Sequence, residues 1–283
     1  MDQQKFSVPV DHVSDTAYLV SAYRLMESKR NDRHFDDSIA EKLLGDEGHA
    51  ILDRFPVWAL GAWTMTVRTT LIDRLILKLV DQGLDTVVNL AAGLDTRPYR
   101  LALPKTLNWI EADLEGIIKH KNKKLADESP HCLLKRLEVD LSSKKDRDML
   151  FTSFKDLGRV IVLTEGLLMY LDPQDVHALS DSLLENSNVK AWLTDIATPA
   201  SIRAMYRISN DQQTTSPSGK EVHFNFLPDE GLNYFEALGW TVNEFYSYLE
   251  YGKTLNRDFP IDIQPHDLND MSQTGFGVLN RKI

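Results

Sequence analysis

From Thr86 onward, short apolar runs alternate with stretches in which apolar residues recur every three or four positions, the pattern of strand–helix–strand units around a parallel sheet. Thr86 to Ala91 (TVVNLA) and Arg159 to Thr164 (RVIVLT) are continuous apolar runs, as expected of central strands covered on both faces. Leu107 to Ala112 and Leu133 to Val139 alternate more, which predicts less buried strands, and Lys190 to Ile196 (KAWLTDI) reads as a fifth. Trp240 to Leu249 and Gly275 to Leu279 supply a terminal antiparallel pair. The pattern predicts a doubly wound, mostly parallel α/β sheet.

Helices are marked between these runs. Leu114, Ile117, Ile118, Lys121 and Leu125 form one apolar face, with Lys121 contributing its stem. Asp172-Pro173 offers an N-cap acceptor and a proline at the first helical position, followed by Val176, Leu179, Leu183 and Leu184 at helical spacing. Ahead of the sheet, Ser14 is placed to cap a helix carrying Tyr18, Leu19, Ala22, Leu25 and Met26 on one face. A second helix from about Thr66 carries Leu71, Ile72, Leu75, Ile76 and Leu79 and closes at Gly83. Residues 1–82 thus read as an N-terminal helical layer, a lid over the sheet's ligand end. Residues 83–283 read as the core, with a substrate-covering insert around 199–228, and the whole as one domain. Asp211 to Lys220 (DQQTTSPSGK) resembles a mobile loop.

Composition narrows the partners. With 283 residues, 42% hydrophobic and 26% charged, the chain can bury a substantial core. It shows no run of eighteen apolar residues and no basic-then-apolar leader, so no membrane association is expected. The net charge of −10 argues against nucleic acid, and the cluster Lys119 to Lys124 reads as a solvated helix face. Cys132 is the single cysteine, which excludes an intrachain disulfide and fits a reducing, cytoplasmic setting. The eight histidines show no ligand spacing, so no metal is expected.

Ligands of open parallel sheets bind beyond the carboxyl ends of the strands. After the first strand comes Ala91-Ala92-Gly93-Leu94-Asp95-Thr96-Arg97, where Gly93 permits close backbone approach. The second strand ends at Glu111-Ala112-Asp113. Asp113, directly ahead of Leu114, is suited to accept both ribose hydroxyls of an adenosine or to cap the next helix. Asp140 with Leu141 follows the third strand and can face an adenine amino group and ring. The first turn lacks G-x-G-x-x-G, so the pyrophosphate cradle of a dehydrogenase is missing. An adenosine site without a diphosphate site suits S-adenosylmethionine better than NAD.

Asn89 to Leu101 (NLAAGLDTRPYRL), Glu111 to Leu114, and Leu163 to Leu171 (LTEGLLMYL) together resemble the leucine carboxyl methyltransferase family. Within it they are most similar to the bacterial branch that includes polyketide O-methyltransferases of the tetracenomycin carboxyl-methylating type. Val13 to Leu44 and Val67-Arg68-Thr69 share the likeness, which covers roughly residues 10 to 250. The resemblance implies a class I, Rossmann-like seven-stranded fold and S-adenosylmethionine as cofactor. It implies that Arg68 grips the methionine carboxylate, as a bidentate guanidinium does well. By the same likeness Gly93 lines the methionine portion, Asp113 the ribose, and Asp140 with Leu141 the adenine, while Glu165 ahead of Gly166 faces the amino group or the sulfonium. The first loop departs from the general methyltransferase pattern of an acidic residue and several glycines: Asn89, Ala91 and Asp95 stand there, and Asp95 is expected to pair with Arg97 or cap the next helix.

A carboxylate acceptor is already ionised near neutral pH, so methyl transfer to it needs alignment more than a base, and no catalytic residue is expected to be visible. Substrate-orienting candidates are Tyr170, Arg203 and Tyr206, the last two three apart on one helix face, with Tyr23 and Arg24 behind them. His223 reads as a packed histidine rather than a base. The expected activity is O-methylation of a carboxylate or hydroxyl on a small molecule such as a polyketide. Methylation of a protein C-terminus, a NAD-linked oxidoreductase and a non-catalytic S-adenosylmethionine-binding protein are the alternatives.

Overall fold

A computed structural model describes residues 7–8, 13–52, 59–208 and 222–282. Seven strands form the main sheet: β1 (Thr86–Leu90), β2 (Asn108–Asp113), β3 (Leu133–Glu138), β4 (Val160–Thr164), β5 (Val189–Ile196), β6 (Trp240–Ser247) and β7 (Gly275–Arg281). Their spatial order is β3-β2-β1-β4-β5-β7-β6; β7 alone runs antiparallel, to both its neighbours β5 and β6, and the other six strands share one direction. This is the doubly wound sheet that the apolar runs predict, and the chain direction of strand filling reverses between β1 and β4. The helices are α1 (Val13–Ser28), α2 (Ala40–Leu52), α3 (Ala59–Asp81), α4 (Arg97–Arg100), α5 (Glu115–Lys124), α6 (Lys144–Ser153), α7 (Pro173–Glu185), α8 (Pro199–Ile208), α9 (Tyr248–Thr254) and α10 (Pro265–Met271). A short antiparallel ribbon pairs Ser7–Val8 with Val222–His223.

Period-two alternation explains why both faces of the central strands are apolar. Val87, Ile161, Leu163 and Leu193 face one core with Leu71, Leu75 and Ile76 of α3. Val88, Leu90, Val162 and Trp192 face the other with Leu150 of α6, Leu179 of α7, and Phe235. The indole N–H groups buried there are satisfied: Trp192 donates to Thr164 Oγ1 at 2.9 Å and Trp240 to Ser180 Oγ at 2.8 Å. A third cluster joins Tyr18, Ala22 and Leu25 of α1 and Leu43 and Leu44 of α2 to Leu94, Tyr99 and Leu125, seating the helical layer on the sheet's carboxyl edge.

The structure corrects several local expectations. Helix α1 starts at Val13, so Ser14 lies inside it rather than capping it, and α3 starts at Ala59, about two turns before the expected Thr66. Asp172 precedes α7, but its side chain makes no cap bond; its carbonyl accepts from the Asp175 and Val176 amides instead. Strand β6 ends at Ser247, and Leu249 belongs to α9, because Tyr248 and Leu249 turn inward to buried sites. The Lys119 to Lys124 face is not wholly solvated. Lys121 is fully buried, its ammonium 2.9 Å from Glu111, which also accepts from Arg136 Nε at 2.8 Å. The expected loop at Asp211 to Lys220 lies outside the described residues. Among the described residues, no helix is long and apolar enough to cross a membrane.

Candidate functional site

Strand register assembles the site. Leu90 of β1 pairs with Ala112 of β2 on one side and Thr164 of β4 on the other, and Thr164 pairs with Thr194 of β5. The residues just past these positions, Ala91 to Gly93, Asp113, Glu165 and Asp195, therefore share one rim. They line a cavity of about 790 Å³ roofed by Ser14, Thr16, Ala17 and Val20 of α1. Its position at the reversal of strand order is where open α/β sheets bind ligands.

At one end, Asp113 accepts from the Gly93 amide at 2.6 Å through Oδ2 and from the Leu114 amide at 2.7 Å through Oδ1. It is not the cap of α5, whose first turn is preceded by Leu114. Burial pushes the Asp113 carboxyl above its usual value, against these two amides, so the group gains from further donors. Gly93 stands at φ 49°, and a Cβ there would meet Ala17 Cβ at 3.4 Å, so the loop lies close against α1. Ala91 takes φ 51°, a left-handed backbone that costs a non-glycine residue about 1 kcal/mol. Asp140 holds Ser142 through its amide at 2.9 Å and hydroxyl at 2.7 Å, which lowers its pKa. Asp140, Leu141 and Leu114 all line this end.

At the other end, the Arg68 guanidinium reaches in from α3, with Nε 3.0 Å from Glu165 Oε1 and Nη1 3.3 Å from Asp195 Oδ2. Glu165 also binds Arg97 Nη1 at 2.8 Å. Burial acts to raise Glu165, but Arg97 and Arg68 outweigh it and hold the carboxylate below its usual value. Asp195 accepts from the Gly166 amide at 2.9 Å and from Arg68, yet burial wins and its pKa rises. Arg97 and Asp95 pair at 2.8 Å as the sequence suggests, with Asn89 Nδ2 donating to the same carboxylate at 2.8 Å. Asp95, Arg97 and Asn89 thus buttress the rim.

All the expected cofactor residues, Arg68, Ala91, Gly93, Asp113, Leu114, Asp140, Leu141, Glu165 and Gly166, line this one cavity. Tyr170 also lines it, hydrogen-bonded to Thr16, and burial pushes its phenol up to about 12. Arg203 and Tyr206, the other two leading substrate candidates, fall elsewhere. Arg203 is exposed and Tyr206 packs against the Ala197 and Ile202 cluster; neither lines the cavity, because α8 turns Ile202 and Met205 toward it. Arg24 lines the cavity but is committed, with Nε on Asp37 at 2.7 Å and Nη2 on the Leu94 carbonyl at 2.5 Å. His223 is not packed: it is exposed on the ribbon and lines the cavity. Asp195 was missed, although a carboxylate closing the fifth apolar run carried the same signal as Asp113 and Glu165. The buried phenol of Tyr248, whose hydroxyl makes no hydrogen bond, was missed too.

Residues 17–184 match the profile described as leucine carboxyl methyltransferase. A protein of Parafrankia sp. is 32% identical over 178 residues, covering 59% of this chain and 57% of its own length. One from Mycobacterium marinum is 32% identical over 195 residues, covering 62% and 60% respectively. Both carry names that assign them provisionally as S-adenosyl-L-methionine-dependent methyltransferases. The matches therefore span under two thirds of these relatives. The crystal structure of a DUF574-family protein from Streptomyces avermitilis superposes with a TM-score of 0.54 at 14% identity, over 95% of this chain and 97% of that one, which shows a shared fold.

Proposed function

From the premise that this chain belongs to the leucine carboxyl methyltransferase family, we propose that it is an S-adenosylmethionine-dependent methyltransferase acting on an oxygen of a small molecule. One observation carries the reading. A single cavity joins a carboxylate suited to a ribose, Asp113, to a cluster suited to an amino-acid zwitterion, Arg68 with Glu165 and Asp195, and its first loop has no diphosphate cradle.

The residues fit the cofactor group by group. Asp113 is anchored by two amides and keeps lone pairs for ribose hydroxyls. Asp140 and Leu141 stand at the adenine end. Arg68 offers its fork to the carboxylate, while Asp195, the less compensated of the two acids, is suited to the ammonium. Bound there, S-adenosylmethionine supplies an electrophilic methyl group on a sulfonium. The protein's part is to align donor and acceptor and to keep water out beneath α1, work that needs no catalytic triad. Small molecules fit better than a protein tail because the donor end lies under the helical layer, in the manner of an enclosed pocket.

Isothermal calorimetry tests the donor assignment. S-adenosylmethionine should bind the wild type, and Arg68→Ala and Asp113→Ala should each weaken binding by about 30-fold or more, the scale of a lost charge-assisted bond pair. Unchanged affinity in variants with wild-type circular dichroism would sink the assignment. Labelled methyl transfer into small hydroxyl and carboxyl compounds, against transfer into a protein extract, then separates small-molecule from protein acceptors.

A further inference from the structure

We propose that the acceptor is a neutral, apolar hydroxyl compound of the phenol class, and that its proton passes to His223; this rests on the reading of the cavity as a methyl-donor site.

The cavity has two chemistries. Its carboxylates sit past the strand ends, facing Arg24 of α1 and Arg68 of α3, whereas the wall formed by the turn at Leu168–Tyr170, by α8 and by the segment after the ribbon is apolar. Met169, Ile202, Met205 and Phe224 form one cluster there, and the Tyr170 ring lies 5.7 Å from Phe224 at 56°. Thioethers and ring faces of this kind hold a flat aromatic body well.

Charge argues against an acid. Among the described residues lining the cavity, the guanidinium groups are Arg24 and Arg68, and both are already engaged by buried carboxylates. Facing them are Asp95, Asp113, Asp140, Glu165 and Asp195. Arg203, the cation expected to receive a substrate carboxylate, points to solvent off the cavity. An acceptor carboxylate would therefore be desolvated against an apolar wall, beside acids and without a free cation, which is costly. A protonated amine would suit the charge but has no lone pair with which to attack.

A hydroxyl acceptor, unlike a carboxylate, profits from a base. The carboxylates on the wall are spoken for: Asp113 by two amides, Glu165 and Asp195 by Arg68, Asp95 by Arg97 and Asn89, Asp140 by Ser142. His223 is the one imidazole lining the cavity among the described residues, and its ring makes no hydrogen bond to another described residue. In the step, an acceptor oxygen lone pair forms the new O–CH₃ bond as the S–CH₃ bond breaks. That bonding pair stays on sulfur, turning the sulfonium into a neutral thioether. The hydroxyl proton goes to the His223 imidazole and from there to solvent at the exposed ribbon.

The experiment takes the full chain and first measures S-adenosylmethionine binding; no binding would sink the donor reading, and this proposal with it. With donor binding established, methyl-labelled cofactor is offered with a para-alkylphenol, a para-alkylbenzoate and a para-alkylbenzylamine of matched length. The phenol should be methylated with kcat/KM at least about 100-fold above the benzoate; preference for the acid or the amine, or transfer to none of them, overturns the acceptor class. His223→Gln is then assayed on phenols of graded acidity. It should lose about 100-fold in kcat on the alkylphenol but little on a nitrophenol already ionised in the assay, with cofactor affinity unchanged. An equal loss on both phenols, or no loss on either, overturns the role of His223.

Discussion

Glu165 and Asp195 share Arg68 yet shift in opposite directions, and the difference is local. Burial works against both charges; Glu165 has a second guanidinium, Arg97, and ends below its usual value, while Asp195 has an amide instead and ends above it. Asp95 resembles Glu165: burial acts to raise it, but Arg97 and Arg24 hold it far below the ordinary carboxylate range. A depressed folded-state pKa means stability that is present above the unfolded value and is lost as pH falls through it toward the folded one. Asp95→Asn should therefore cost about 3 kcal/mol at neutral pH, because it leaves Arg97 less compensated. The gap to the wild type should narrow below about pH 4, where the wild-type carboxylate itself begins to take up protons during unfolding. Urea unfolding at a series of pH values measures this, and a gap that widens on acidification would refute the sign.

Elements were more legible in the sequence than faces. The seven strands were placed to within a residue or two, but burial was read less well: Leu133–Glu138 is half-exposed as its alternation predicts, whereas the strand at Asn108–Asp113, also expected to be less buried, is covered on both faces beyond its first residue. Helix faces were harder. Arg203 and Tyr206 do share a helix, but the face that reaches the cavity is Ile202 and Met205, and periodicity alone cannot say which neighbour a stripe will meet. Lys121 failed for the same reason: nothing in the stripe of α5 shows that Glu111 of β2 waits beneath it. The strand-end rule named Asp113, Asp140 and Glu165, which line the cavity, and passed over Asp195, which lines it as well. The helical layer was legible, and the cavity-lining residues of α1 make its expected role as a lid testable. Ser14, Thr16, Ala17 and Val20 of α1 roof the cavity, whereas none of the described side chains of α2 line it. Hydrogen exchange should show cofactor-dependent protection in α1 and in the loop at Ala91 to Leu94, with little change in α2. Protection spread evenly over both helices would mean that α1 is no lid.

At the scale of the whole molecule, the same ion pairs that set the site also fasten the helical layer to the sheet. Arg24 of α1 holds Asp37; Asp37 also accepts from Thr96 at 2.5 Å, beside Arg100 of α4. Arg97 and Arg100 both bind Asp73 of α3, and Arg97 carries the chain on to Glu165 behind β4. The network is buried, so salt screens it little, and its members lose partners together rather than one at a time. Asp73 is its crossing point: removing it takes a partner from both guanidinium groups, leaving Arg97 with Asp95 and Glu165 and Arg100 with only the 3.9 Å contact to Asp37. Asp73→Ala should thus destabilise by about 3–5 kcal/mol, a fall of roughly 10 °C in Tm. Because the network links α1, α3, α4 and the end of β4, calorimetric unfolding of wild type and variant alike should remain a single transition. If the variant instead melts in two steps, with α1 and α2 lost before the sheet, the layer is a separate cooperative unit and the ion pairs do not weld it to the site.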